Sequence, residues 1–230
     1  MIKIEEIDME LIEWTSSTPI NKDFVAVAVS LSPAGAAKHS GFLISYKGTL
    51  YFFHWLGGEE IDLEDTPKYK NVFFKELNFI NEQEVLAFLT HCKLIQINAK
   101  PVYGFFYAGD YYDTEGKYLS KSGLGEFMTC VGFCINVVKG YIEGHEYFYH
   151  EDWNEEGVPE DFFDEFLIQV RARNHDGNID ETSCKNHMRR ITPLDYTAAA
   201  YLDGFPIRKA NIDKIAHLVR DVLASRVSKN

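Results

Sequence analysis

Short apolar stretches dominate the first half of the chain, and their spacing predicts strands. Strands are predicted over 23–32 and over the two arms of 39–55, where Lys47-Gly48 separates two apolar runs in the manner of a β-hairpin. Further strands are predicted at 70–77 and 100–112. One helix is predicted at 81–96, because Asn81 and Glu84 match a capping box and an apolar stripe follows them.

The second half of the chain has a helical pattern. Helices are predicted over 159–173, 193–202 and 211–226, the last with apolar residues at 212, 215, 219 and 222. The chain therefore divides into an α/β part at 1–150 and a helical extension at 151–230, which we expect to pack on the first part as a single unit. Some basic groups of the last helix are expected to lie near the acidic segment 143–165.

A cysteine stands where a loop is predicted to become a short apolar helix. In "GEFMTCVGFC" (125–134), Thr129 is a candidate helix cap, and Cys130 then falls in the first turn. A thiol at that position experiences the positive end of the helix dipole and unpaired N–H groups, both of which favour thiolate. Cys130 is either a nucleophile or one more small buried apolar residue.

Composition and net charge argue against several classes of partner and location. The net charge of −12 argues against nucleic acid and anionic membranes as partners. No apolar run approaches the roughly 20 residues that a spanning helix requires. The N-terminus has acids where a signal peptide has an apolar stretch. We therefore expect a cytoplasmic protein whose four cysteines, Cys92, Cys130, Cys134 and Cys184, are free thiols.

Two histidines are predicted to share one face of the hairpin. A two-residue turn at Lys47-Gly48 places His54 opposite Gly41, and side chains on a strand alternate between faces. His39 lies two residues before Gly41, so His39 and His54 become diagonal neighbours, with no side chain at Gly41 to separate them.

These segments resemble a known superfamily. "HSGFLISYKGTLYFFHW" (39–55) is similar to the histidine hairpin of the NlpC-type papain-like proteins, and "GEFMTCVGFC" is similar to their cysteine helix. The order His39, His54, Cys130 matches the circularly permuted branch, which includes lecithin:retinol acyltransferase-like proteins. The resemblance covers about 35 of the 230 residues. It implies an α+β fold in which an antiparallel sheet packs against the helix that carries the cysteine.

The resemblance also implies a reaction. Cys130 would be the nucleophile, His39 the general base and His54 the group that orients His39. The expected activity is that of a cysteine amidase, peptidase or acyltransferase that acts on a peptide, amide or acyl ester through a thioester. An aromatic-lined cleft is possible from a set of six residues: Tyr103, Phe105, Phe106, Tyr107, Tyr111 and Tyr112.

Other interpretations remain open. A zinc site would draw on His91 with Cys92, on Cys184 with His187, or on His145 with His150, but none of these pairs has the spacing of a structural zinc site, so we expect no metal and no cofactor. The principal alternative is a non-catalytic binding or immunity-type protein of the same fold, in which Cys130 is inert.

Overall fold

A six-stranded antiparallel sheet forms the centre of the molecule. The computed structural model describes residues 2–15, 18, 21–58, 60–65, 71–143, 145–173 and 180–227. The strands of the sheet, in chain order, are β1 (Ile12–Glu13), β2 (Phe24–Leu31), β3 (Ala37–Tyr46), β4 (Thr49–Trp55), β5 (Ile61–Glu64) and β6 (Val72–Glu76). Their spatial order is β1-β6-β2-β3-β4-β5, so β2 and β3 are central, and each has a neighbouring strand on both sides.

The hairpin β3–β4 forms as its sequence predicts. Lys47 and Gly48 both have positive φ, at 49° and 77°, which is the backbone of a two-residue type I′ turn. The Asp23 carboxylate accepts a hydrogen bond from the Lys47 amide at 2.7 Å and braces this turn. The register pairs Gly41 with His54, as the two-residue turn requires.

Seven helices accompany the sheet in the described ranges. They are α1 (Ile4–Glu10), α2 (Val85–Asn98), α3 (Cys130–Tyr141), α4 (Phe162–Arg173), α5 (Glu181–Asn186), α6 (Pro193–Ala199) and α7 (Lys209–Val227). The capping box of Asn81 and Glu84 is present, but it opens a short 3-10 turn at Glu82–Glu84 that leads into α2. The fold is therefore α+β, and the papain-like permutation remains an expectation.

One face of the sheet bears the main core. Aromatic and aliphatic side chains from β2, β3 and β4 meet α2, α3, α6 and α7 there, and Phe133 of α3 lies with its ring 5.4 Å from that of Phe53. Phe133 is fully buried, so its truncation to Ala would cost about 3–5 kcal/mol. The opposite face carries a smaller apolar cluster that includes Trp14, Leu43 and Phe52.

The predicted strand at 100–112 is wrong over most of its length. Only β7 (Val102–Tyr103) and β8 (Tyr111–Tyr112) form there, and they pair with β10 (Phe127–Met128) and β9 (Tyr118–Leu119) respectively. Residues between them are irregular because the chain turns at Gly109, whose φ is +79°. Phe105 and Phe106 of this segment pack in a third cluster with α4 and α5, whereas Tyr107 and Tyr112 belong to the main core.

Of the C-terminal helices, α6 and α7 share the main core with the sheet. Ile212, Ile215, Val219 and Val222 of α7 are all buried, as their spacing predicts. Arg208, directly before α7, forms an ion pair of 2.6 Å with Asp152 of the acidic segment, but it lies outside the helix 211–226 for which such a contact is predicted. Residues 174–179 and 228–230 of the predicted extension lie outside the described residues.

Candidate functional site

The first turn of α3 presents Cys130 at the end of the sheet. Thr129 caps the helix, because its hydroxyl oxygen accepts a hydrogen bond from the Gly132 amide at 3.1 Å. The predicted helix start and cap are therefore confirmed. Cys130 is partly buried, whereas Cys92, Cys134 and Cys184 are buried, and all four are free thiols.

A cleft of about 630 Å³ opens beside this turn. Cys130 and His39 both line it, together with Trp55 and two of the predicted aromatic residues, Tyr103 and Phe105. The other four predicted aromatic residues lie elsewhere: Phe106, Tyr107, Tyr111 and Tyr112. The cleft therefore lies between the N-terminal end of β3 and the start of α3.

His39 and His54 are in direct contact, as their predicted parity requires. His39 Nε2 lies 3.1 Å from His54 Nδ1, and the ring centroids are 5.2 Å apart in an edge-to-face arrangement. A Cβ at Gly41 would lie 2.7 Å from the His54 Cβ, so glycine is required for this approach. Because His39 lines the cleft and His54 does not, His54 lies behind His39.

The histidines belong to the face of the sheet that points away from α3. His54 stacks on Phe52 with ring centroids 4.2 Å apart, whereas α3 packs on Phe53 from the other face. Cys130 approaches β3 at the end of the strand, where the Ser40 amide is directed at its sulfur. Cys130 and His39 thus border the same cleft at the N-terminal end of β3, although α3 and the two histidines lie on opposite faces of the sheet.

The thiolate is not preformed. Burial raises the pKa of the Cys130 thiol above its usual value, and the N–H groups of Ser40, Val131 and Cys130 oppose this effect without cancelling it. Burial, with smaller contributions from His54 and Lys38, lowers the pKa of His39 from 6.5 to about 4. The expectation that the helix N-terminus favours a thiolate at Cys130 is therefore corrected. Near neutral pH the resting pair is a thiol and a neutral imidazole.

A carboxylate not identified from the sequence extends the histidine pair. The register pairs His54 with Asp62 and Phe52 with Glu64, so both acids lie on the face that carries the histidines. Glu64 Oε1 is 3.9 Å from His54 Nε2, and its side chain is only 9 % exposed. The only sequence signal was the parity of "IDLE" (61–64), too short an alternation to assign a strand.

His54, Asp62 and Glu64 are also the one group of three in the described ranges whose donor atoms lie close enough together to hold a metal ion, all within 4.8 Å of one another. The zinc pairs considered from the sequence contribute to no such group among these residues. Two carboxylates and one imidazole could accept a divalent cation, although His54 also contacts His39 through its other nitrogen.

Two cations border the cleft, and neither was selected from the sequence. Lys38 precedes His39, and Arg190 lies over the Phe105 ring while its guanidinium donates to the Gly157 carbonyl. None of the described residues that line the cleft carries a carboxylate. The charged side chains that line the cleft are therefore basic, although the whole chain has a net charge of −12.

No protein-family model, curated protein or solved structure matches this chain. None of the helices in the described ranges combines the length and apolar character needed to cross a membrane.

Proposed function

We propose that the protein catalyses cysteine-dependent acyl transfer, with Cys130 as nucleophile, His39 as general base and His54 as the group that orients His39. The observation that carries this proposal is that Cys130 and His39 line the same cleft, with His39 hydrogen-bonded to His54 behind it. A thiol, a base and an orienting group in that order are the parts that nucleophilic acyl transfer requires.

The resting protonation states determine how the first step runs. His39 Nε2 is turned to His54, so Nδ1 is the nitrogen that accepts the Cys130 proton as sulfur attacks the acyl carbon. The carbonyl oxygen becomes an oxyanion, and N–H groups at the first turn of α3 are available to stabilise it. Collapse expels an amine or alcohol that takes the proton from His39 and leaves a thioester on Cys130. Water or a second acceptor, deprotonated by His39, then releases the acyl group and restores the thiol.

The acyl donor is proposed to carry a negative charge. Lys38 and Arg190 attract anions, and no described lining residue repels them. A carboxylate or phosphate on the acyl chain would therefore be favoured over a neutral chain of equal length.

Trapping the acyl group tests the proposal. Purified protein is incubated with a p-nitrophenyl ester, and the acylated residue is identified by peptide mass spectrometry. We expect the adduct on Cys130, lost in Cys130→Ser and formed at least about a hundredfold more slowly in His39→Ala, the usual scale of general-base catalysis. Acylation of surface lysines alone, unchanged by either variant, would contradict the assignment.

Charge preference is tested with paired esters of neutral and carboxylate-bearing acyl chains. We expect about a tenfold preference for the anionic chain, which falls as salt is added or when Arg190 is changed to Gln. Lys93→Gln serves as the matched control, because Lys93 lies on α2 and does not line the cleft. An equal rate for both esters would remove the anionic substrate from the proposal and leave the acyl transfer.

The second candidate function is a binding protein with an inert cysteine. The raised pKa of the Cys130 thiol favours it, since a protonated thiol is a poor nucleophile. Iodoacetamide separates the two functions. A catalytic Cys130 labels in the native protein faster than the other three thiols and more slowly in His39→Ala, whereas an inert one labels with no dependence on His39.

A further inference from the structure

We propose that Glu64 is a positioning residue that sets the tautomers of both imidazoles and thereby leaves His39 Nδ1 bare. The inference rests on the proposed function for its catalytic meaning, but the tautomers themselves can be measured without any activity. Its basis is a continuous polar line across three strands, from His39 on β3 through His54 on β4 to Glu64 on β5.

The contact between the two rings allows only two neutral arrangements. In the first, His39 Nε2–H donates to His54 Nδ1, which leaves His39 Nδ1 without a proton and places the His54 proton on Nε2. In the second, His54 Nδ1–H donates to His39 Nε2, and His39 Nδ1 then carries the proton. Only the first arrangement lets His39 accept a proton from a thiol.

Glu64 favours the first arrangement on electrostatic grounds. Its carboxylate oxygen lies 3.9 Å from His54 Nε2, at a site where the His54 side chain is fully buried. An N–H at Nε2 is attracted to the carboxylate, whereas a lone pair at Nε2 is repelled by it, and low local polarity strengthens both effects. The proton on Nε2 leaves Nδ1 of His54 as an acceptor, and that acceptor in turn requires the proton of His39 to lie on Nε2.

Charged groups surround the two histidines, His39 and His54, on different sides. His54 faces His39, Asp62 and Glu64, and His39 has Lys38 as its charged neighbour. Asp62 is directly opposite His54 in the register, so it provides a matched carboxylate on the same strand as Glu64. The Glu64 oxygen lies 3.9 Å from His54 Nε2, so Glu64 is the carboxylate to which we assign the effect.

Long-range ¹H–¹⁵N spectra of the ¹⁵N-labelled protein near pH 7 report the tautomers. In the wild type we expect both His39 and His54 to carry the proton on Nε2. Glu64→Gln keeps the shape of the side chain but removes its charge, and we expect it to populate the second arrangement of both rings. Asp62→Asn should leave both rings as in the wild type. The far-ultraviolet spectrum and melting temperature of each variant show whether it is folded.

Cys130 labelling by iodoacetamide provides the second readout. We expect Glu64→Gln to slow it by about ten- to hundredfold, by analogy with the loss of the outer carboxylates that orient metal-binding histidines. A rate unchanged in Glu64→Gln, with tautomers unchanged, would overturn the inference and leave the acyl transfer proposal intact. A Cys130 that is inert already in the wild type would instead contradict the proposed function, and the spectra would still decide the role of Glu64.

Addition of zinc distinguishes a metal site from a positioning role. If micromolar Zn²⁺ displaced the His54 Nε2 proton and shifted that nitrogen to a metal-bound position, the carboxylates would be ligands and the inference would be wrong. We expect the His54 signals to remain unchanged under that titration.

Discussion

Polar groups at the two ends of α3 differ in whether they carry a charge. At the C-terminal end, Lys139 is fully buried yet paired, since its ammonium donates to the Gly109 carbonyl at 2.7 Å and forms an ion pair with Glu146. At the N-terminal end, Cys130 and His39 border an open cleft and are both neutral near pH 7. Charge is compensated at one end and avoided at the other.

This difference gives the two ends of α3 different roles, one in stability and the other in the proposed reaction. Compensated charges hold α3 in place. Burial raises the pKa of Glu146, but the hydrogen bonds and charges of His150 and Lys139 outweigh this effect and leave that pKa lowered to about 2. Neutral groups held beside a cleft keep the ability to exchange a proton with each other. The N-terminal end is therefore the one to which we assign the proposed reaction.

The largest expected effect is at the compensated end. Lys139→Met removes the cation and leaves Glu146 without its closest partner, so the free energy of unfolding should fall by about 3 kcal/mol, the lower end of the range for a broken buried pair because Glu146 is partly exposed. Urea denaturation measures the loss. The double variant with Glu146→Gln should recover part of it, while Cys130 labelling in native protein should stay at the wild-type rate. A labelling rate that fell with Lys139→Met would show that the two ends are coupled.

The second effect is an acid dependence of stability at the neutral end. The folded-state pKa of His39, about 4, lies below its unfolded value of 6.5. The unfolded chain therefore binds the extra proton first, and stability falls as the pH drops from 6.5 to 4, by about 2–3 kcal/mol in total. His39→Gln should lose this component of the pH profile. His91 and His187 also have lowered pKa values, and they contribute to the pH dependence of stability in the wild type and in His39→Gln alike. The difference between the stability profiles of these two proteins therefore isolates the contribution of His39. Parallel profiles would contradict the low pKa of His39.

The smallest effect concerns the glycine that lets the histidines meet. Gly41→Ala places a Cβ 2.7 Å from the Phe52 ring and 2.8 Å from the Phe53 carbonyl, which should cost about 1–3 kcal/mol and separate the imidazoles. Gly58→Ala is the control, because a Cβ there meets nothing within 4 Å. The two melting temperatures and the His54 ring signals check the prediction. If Gly41→Ala left both unchanged, the close packing of the two rings would not depend on that glycine.

Local sequence determined the elements and one half of the site. The turn at Lys47-Gly48 sets the parity of the hairpin, and that parity alone brings His39 to His54, because side chains on a strand alternate with a period of two. Thr129 determines where α3 begins, since its hydroxyl satisfies an amide that has no partner within the helix. The apolar spacing of α7 likewise predicts which of its residues are buried.

Tertiary structure decided what those elements face. The segment 100–112 has the composition of a strand, yet most of it is irregular, because its aromatic side chains divide between two clusters: Phe105 and Phe106 are buried with α4 and α5, whereas Tyr107 and Tyr112 belong to the main core. Glu64 joined the site only because β5 pairs with β4 in a register that no local pattern contains. The protonation of Cys130 was decided in the same way. A helix start favours thiolate, but burial at the end of the sheet opposes it more strongly, and burial depends on how the whole chain packs.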